Sequence, residues 1–349
     1  MRMGGYTDMQ NGKMNSTQIM KQKSGWFGSL RFWLKRYVHI AIPGTILILL
    51  IVIMSFLAPT FLTTRNLISI ARASAIYMML AVGMTFVITS RGIDLSIGSI
   101  LGLTSVVMGG LVIDYGWHPY AGLMVAIAMG CGLGLFNGVL VTVTRIPPFI
   151  ATIGMMTAYR GFALVHSAGK VRYHFPEEIT WLGQGMIGGI PVPVYMALIM
   201  AFIAHLIFRN TGFGRYCVAI GGNKEAARRT GIPVKLYETS YYVLMGAICG
   251  FAGVVLTGRL DGTQAVLGEG MELHVIAAVI IGGTSLFGGR GSVTTSVLGA
   301  LVLGVVDNAL ILLGVPWFWQ RVALGFIVVG AVIFNRWRED KARELLRGS

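Results

Sequence analysis

Long apolar runs alternate with short polar breaks from about residue 40 onward. The runs fall near 40–59, 67–89, 95–113, 120–142, 149–168, 193–208, 239–257, 273–287, 293–313 and 320–335. A helix that crosses hydrocarbon needs about 20 predominantly apolar residues. The pattern therefore predicts an all-α membrane protein with about ten transmembrane helices. The sixth and eighth runs are short by that measure. The eighth, HVIAAVIIGGTSLFGG, is interrupted at Gly282–Gly283 and reads as a re-entrant or kinked helix. Broken helices are tolerated at membrane depth where protein or a cavity surrounds them.

Composition narrows the class. Of 349 residues, 55% are hydrophobic and only 12% charged, with 48 glycines. Soluble proteins carry about 25% charged residues, so this chain lacks the polar surface to cover a water-facing globule. Abundant glycine suits membrane helices, whose backbones approach closely at small residues. The formal charge of +14 would suggest nucleic acid if it were concentrated in one patch. It is instead spread through the segments between apolar runs, which argues against a nucleic-acid partner. Placing the N-terminus inside puts 21 Lys and Arg in inner segments and five in outer ones, a strong positive-inside signal. Both termini are then expected in the cytoplasm. The expected layout is a basic leader at 1–38, a transmembrane domain at 39–335 and a tail at 336–349. The end of the leader, WFGSLRFWLKRY, reads either as an amphipathic helix lying on membrane lipid or as disordered chain. Cys131, Cys217 and Cys249 fit neither a disulfide framework nor a metal site.

An echo links LGLFNGVL at 133–140 with LGVVDNAL at 303–310, each followed by a proline corner. It pairs the fourth run with the ninth. An offset of five reverses orientation, which predicts two inverted five-helix halves. A rival echo, Arg91-Gly92 with Arg290-Gly291, fits that order less well.

The longest inner loop, 209–238, contains GFGRYCVAIGGNKEAARRTGIPVK. Asn223 is placed to cap a helix that follows it. Glu225 sits in the first turn, and Arg228 and Arg229 in the last, each complementing the helix dipole. Gly231 suits a left-handed ending, Ile232 closes over it, and Pro233 blocks continuation. A short bounded helix from Lys224 to Thr230 is expected, with Gly212, Gly214, Gly221 and Gly222 letting the flanks fold tightly. The plainer alternative is a basic loop that only sets orientation.

At this point the chain resembles a known family. GRYCVAIGGNKEAARRTGI is similar to the cytoplasmic coupling loop of permease subunits in ribose-, arabinose- and xylose-type ABC importers. RGIDLSIGSILG at 91–102, NGVLVTVTRIPPFIATIGMM at 137–156 and ELHVIAAVIIGGTSLFGGRGS at 272–292 resemble the same family in order and spacing. The resemblance covers residues 40–335; it makes 39–335 a permease domain and implies a bacterial inner membrane. It implies a partner ATPase with two nucleotide-binding domains, a periplasmic sugar-binding protein, and a second permease subunit, identical or related. It also implies that Gly214, Arg215, Gly221, Asn223, Glu225, Ala226, Arg228, Arg229, Gly231 and Ile232 form the ATPase-coupling surface. No G-x-x-x-x-G-K-[ST] loop occurs in the chain, so ATP and magnesium are expected on the partner and no cofactor here. No nucleophile–base arrangement argues for catalysis.

Other polar residues carry two readings each. Asp94 and Ser96 either cap the third helix or form a buried ion or substrate site; with Gly282 and Gly283 they are gating candidates. Asn137, Asp307 and Asn308 either line the sugar path or bond helices together. The loop 258–272, with Glu269 and Glu272, reads as an outer surface for the binding protein or as a solvated loop. The functional expectation is an importer permease for a monosaccharide or small polyol. The alternative is a secondary sugar carrier driven by an ion gradient.

Overall fold

The computed structural model describes residues 41–347; the basic leader lies outside the described residues, as does whatever it does at the membrane. Thirteen helices follow in order, with two-residue strands as minor clips. They are α1 (Ala41–Leu57), α2 (Thr64–Thr89), α3 (Ile97–Asp114), α4 (Pro119–Thr144), α5 (Pro148–Ser167), α6 (Glu177–Gln184) and α7 (Val192–Asn210). Then come α8 (Gly212–Gly222), α9 (Lys224–Arg229), α10 (Val234–Leu260), α11 (Met271–Ile281), α12 (Val293–Leu312) and α13 (Trp317–Arg347). The last turn of α3 is wound as a π-helix, Gly110–Asp114.

Each of the ten apolar runs contains a helix. Eight are long and apolar enough to cross a membrane, while α1 and α11 are shorter. The eighth run breaks where its glycines stand, but earlier than the apolar pattern suggests. At about 1.5 Å per residue, α11 spans only about half of a 30 Å hydrocarbon core. Residues 282–292 continue without helix to the start of α12. Gly283 adopts φ 88°, and Thr284 N–H closes back on the Val279 carbonyl at 3.1 Å.

Burial separates an inner from an outer ring of helices. The apolar windows of α3 and α10 are 78% and 67% buried, whereas that of α13 is 6% buried. The core is the cluster that runs from Ala75–Ile88 of α2 through Ile97–Leu103 of α3 to Tyr241–Leu256 of α10 and Val275–Ile280 of α11. Helices α5, α7 and α13 turn apolar faces outward.

The packing repeats in exchanged form. Helix α10 lies on α4 as α2 lies on α12; α3 lies on α5 as α11 lies on α13; and α3 meets α4 as α11 meets α12. This is the relation the fourth-to-ninth echo predicts. The α4–α10 seam is glycine against glycine: a Cβ at Gly130 or Gly134 would collide with the Gly246 or Tyr242 carbonyl. Lipid tails offer no hydrophobic incentive for helices to associate, so close backbone approach supplies the van der Waals contact that holds such a seam.

Two non-helical segments enter the bundle. Residues 92–96 precede α3, and residues 261–270 precede α11. The second meets the first turn of α3, where a Cβ at Gly98 would collide with the Gly268 carbonyl. The segment 258–272 is thus a solvated loop only in part, with Gln264, Val266 and Glu269 exposed. Gly258 belongs to α10, and Ala265 and Leu267 are buried. The Arg160 guanidinium donates to their two carbonyls, at 3.0 Å to that of Leu267. Polar backbone inside a bilayer must find partners within the protein, and Arg160 supplies them here.

Candidate functional site

One face of the bundle, the basic face, carries the segments 90–96, 145–147, 211–233 and 282–292. Asn223 leaves the helical line (φ −155°, ψ 102°), and its Oδ1 accepts from Glu225 N at 3.1 Å and Ala226 N at 3.0 Å. At the other end Gly231 takes φ 85°. Its N–H donates to the Arg228 carbonyl at 3.0 Å, and Ile232 N–H to the Ala227 carbonyl at 3.2 Å. Those two bonds form a Schellman ending. The helix stops at Arg229 with Thr230 as its cap, one residue before the sequence-based boundary. A six-residue helix has no stability of its own, so these caps and its contacts define it.

The flanks differ from the expected loop. Residues 212–222 form α8 rather than a glycine-hinged coil, and α10 begins at Val234, so the connection between long helices is 211–233. The glycines serve close approach instead. A Cβ at Gly214 would strike the Phe208 backbone, and one at Gly221 would strike the Thr89 carbonyl and Gly289 N. Gly289 N–H donates to the Thr89 carbonyl at 2.8 Å. Arg91 Nε donates to the Phe287 carbonyl at 2.7 Å, and its Nη2 to the Gly222 carbonyl at 3.5 Å. The end of α8 is therefore fastened to the end of α2 and to the segment after α11. Arg215 stays exposed and donates to the Asn210 carbonyl at 3.1 Å.

Two further attachments escaped the sequence reading. Lys224 Nζ lies 2.7 Å from Glu238 Oε2, whose side chain is 10% exposed, and so ties α9 to α10. Glu238 stands as a lone acid in the first turns of a long apolar helix, which was the available signal. Phe213, Tyr237, Tyr241 and Phe86 also interlock: Phe213 and Tyr241 meet edge to face at 4.8 Å, and the Tyr241 hydroxyl donates to the Phe213 carbonyl at 2.9 Å. By contrast, the pairs of Glu225 with Arg228 at 3.8 Å and Arg229 at 3.4 Å are exposed and contribute little. Ala226 faces solvent, while its neighbour Ala227 is the buried one.

Between α9 and the bundle lies a cavity of about 470 Å³. Arg91, Arg145, Lys224, Arg228 and Lys235 line it with a single carboxylate, Glu238. Lys224 already pairs with that carboxylate, so the cleft presents a net cationic wall. Arg145 closes α4 in the left-handed conformation, φ 61°.

Behind this face Asp94, Ser96 and Asn137 form one buried chain. Asp94 Oδ1 accepts from Ser96 N at 2.9 Å and Ser96 Oγ at 2.6 Å. Asn137 Nδ2 donates to Ser96 Oγ at 2.7 Å, and the Tyr159 hydroxyl donates to Asn137 Oδ1 at 2.9 Å. Asp94 is not a first-turn cap: α3 begins at Ile97, and Ser96 occupies the cap position with its hydroxyl turned sideways. The Tyr242 hydroxyl, at 3.3 Å, and Thr152 Oγ1, at 3.2 Å, both donate to the Ile93 carbonyl. The corner between α2 and α3 is thereby pinned to α4, α5 and α10.

Asp307 and Asn308 do not join Asn137. Asp307 Oδ1 lies 3.4 Å from His274 Nε2. Asn308 and Asn66 exchange amide bonds of 3.0 and 2.7 Å between α12 and α2. Gly282 packs against Thr295 and Ser296, and Asn335 Nδ2 of α13 donates to the Thr284 carbonyl at 3.1 Å. The break after α11 is held on both sides. Among the described residues no group of three His, Cys, Asp or Glu is placed to hold a metal ion.

Known proteins resemble this chain over most of its length. Residues 66–334 match the family described as branched-chain amino acid transport system / permease component. The ribose import permease protein RbsC of Bacillus subtilis (strain 168) is 40% identical over 83% of this chain and 90% of its own length. The D-allose transport system permease protein AlsC of Escherichia coli (strain K12) is 38% identical over 84% and 91%. The L-arabinose ABC transporter permease protein AraH of Azospirillum brasilense is 34% identical over 86% and 89%. No solved structure gives a significant match. With matches of this extent, the chain belongs to the permease-component family and is a multi-pass membrane protein of sugar transport.

Proposed function

We propose that this chain is the membrane permease subunit of an ATP-driven importer for a monosaccharide or related small polyol. The basic face is then the cytoplasmic one, with both termini on that side, and a separate ATPase docks on α9. A binding protein delivers substrate at the opposite face, and a second permease subunit, a copy or a paralogue, completes the path. ATP and magnesium act on the partner. Support comes from the ribose, allose and arabinose relatives. One observation carries the coupling role: a helix capped at both ends stands on the basic face, is tied directly to α10, and follows the end of α8, which is itself fastened to α2 and to the segment after α11. A force applied to such a helix moves spans rather than bending a loop.

The test is co-purification with the partner ATPase. Gly231→Val forces a β-branched residue into the left-handed region, at a cost of about 1–2 kcal/mol. It is expected to weaken the complex while leaving membrane insertion intact. Arg228→Glu reverses one cation of the cleft and is expected to weaken docking onto an acidic partner surface. Full retention of the ATPase by both variants removes this assignment. Uptake that survives loss of the ATPase and collapses with an ionophore would instead establish a secondary carrier.

A further inference from the structure

Beside Asp307 stands a group that the coupling face does not use. The rings of Tyr77 on α2 and His274 on α11 stack with centroids 5.2 Å apart and planes 4° from parallel. His274 Nδ1 donates to the Gly270 carbonyl at 3.1 Å, which leaves Nε2 turned to Asp307. Asp307 also neighbours the Tyr77 hydroxyl. The Asp307 side chain is 28% exposed and that of His274 20%. An ionisable side chain in a transmembrane helix is expensive against lipid and almost always faces protein or a water-filled cavity. This exposure therefore marks a face of the chain that lipid does not cover. The polar strip continues away from the basic face: Arg259 neighbours Tyr77 and Arg72, and Arg72 Nη2 donates to the Gln184 carbonyl at 2.5 Å, in the connection that includes α6.

We infer that Tyr77, His274 and Asp307 line the translocation path and form a transient subsite for a polyhydroxylated, uncharged ligand. The inference rests on the permease reading above and adds the contact site. A carboxylate offers several acceptor positions to adjacent hydroxyls. An aromatic pair offers a flat amphipathic wall against the C–H face of a sugar ring. The carboxylates of Asp307 and of Glu272, which neighbours His274, oppose an anion, and Arg72 and Arg259 oppose a cation; a neutral polyol is the fitting cargo. The set is small, as a conduit requires: binding must be favourable enough to admit the ligand and weak enough to release it.

The experiment uses the complete complex, with its ATPase and sugar-loaded binding protein, in proteoliposomes. Asp307→Cys is made in a background with Cys131, Cys217 and Cys249 replaced by Ala, and is treated with a membrane-impermeant maleimide. It is expected to react, and saturating transported sugar is expected to slow the reaction. Tyr77→Leu is expected to lower uptake about tenfold, and Tyr77→Phe to restore most of it, the ring being the contact. Asp307→Asn is expected to change the ratio of uptake rates for two pentose epimers. An unreactive Asp307→Cys, a reaction indifferent to sugar, or equal losses for both epimers and for both Tyr77 variants would overturn the subsite. Failure of the wild-type complex to take up any sugar would instead sink the permease reading itself, so the two failures are distinguishable.

Discussion

Asn137 and Asp307 occupy equivalent places in the two echoed segments, yet the protein uses them in opposite ways. Asn137 is fully buried, with its amide spent on Ser96 and Tyr159. Asp307 is part exposed beside an imidazole and a phenol. The helix pairs that carry them differ in the same sense. The α4–α10 seam is closed by glycine backbones, whereas on the α12–α2 seam a Cβ at Gly304 would meet the Ser74 side chain. A duplicated frame buries its polar position in a bonded hub in one half and leaves the counterpart part exposed in the other. A rigid hub near the basic face and an accessible polar face further along suit a machine driven at one end that handles cargo elsewhere.

The largest effect should come from forcing the closed seam apart. Gly134→Val places a branched side chain against the Tyr242 carbonyl, backbone that cannot rotate away. Overpacking of this kind costs about 1–3 kcal/mol or more, and a seam held by close approach has little else to hold it. Little monodisperse protein is expected on size-exclusion chromatography of solubilised membranes. Gly304→Val should be milder but still costly: Ser74 can turn its hydroxyl away, while its Cβ stays 2.9 Å from the added carbon. Equal losses in both would erase the distinction between the seams.

Next comes the pair of polar positions themselves. Asn137→Leu removes the acceptor of Tyr159 and the donor to Ser96 in a dry site. Each orphaned buried group costs about 1–3 kcal/mol; Tyr159 keeps a second acceptor, the Leu133 carbonyl at 3.1 Å. A loss of about 2–3 kcal/mol is expected as a lowered thermal midpoint. Asp307→Asn, near-isosteric and part exposed, should cost less than about 1 kcal/mol while reducing uptake. A matching loss of stability at both positions would make Asp307 a structural residue like its counterpart.

Much of this frame was legible in the sequence because it is written in short-range signals. The ten apolar runs, the break at Gly282–Gly283, the Asn223 cap and the Gly231 ending each depend on a few adjacent residues. The echo at 133–140 and 303–310 also foretold which helices would exchange roles. What stayed hidden depends on pairs distant in sequence. Lys224 with Glu238, Tyr77 with His274, and Ser96 with Asn137 become partners only once the fold brings them together. Grouping Asn137 with Asp307 followed from sequence likeness and was separated by packing. The glycines of 212–222 were misread for a related reason. Glycine signals a flexible turn and a close helix contact equally well, and only the neighbouring backbone, here Phe208, Thr89 and Gly289, decides between them.

The smallest effect tests how open the second half is. Asn308 and Asn66 exchange two amide bonds between α12 and α2, one helical step from Asp307. Hydrogen bonds between membrane helices average about 0.6 kcal/mol, because the separated partners find other ones. These side chains are only part buried, so water reaches them as well. Asn308→Ala should therefore lower stability by about 0.5–1 kcal/mol, and a double-mutant cycle with Asn66→Ala should return a coupling of that size. A coupling of about 2 kcal/mol or more would show the pair to be desolvated in the membrane. The α12–α2 seam would then be as closed as its counterpart, and the asymmetry between the halves would reduce to the single exposed face of Asp307.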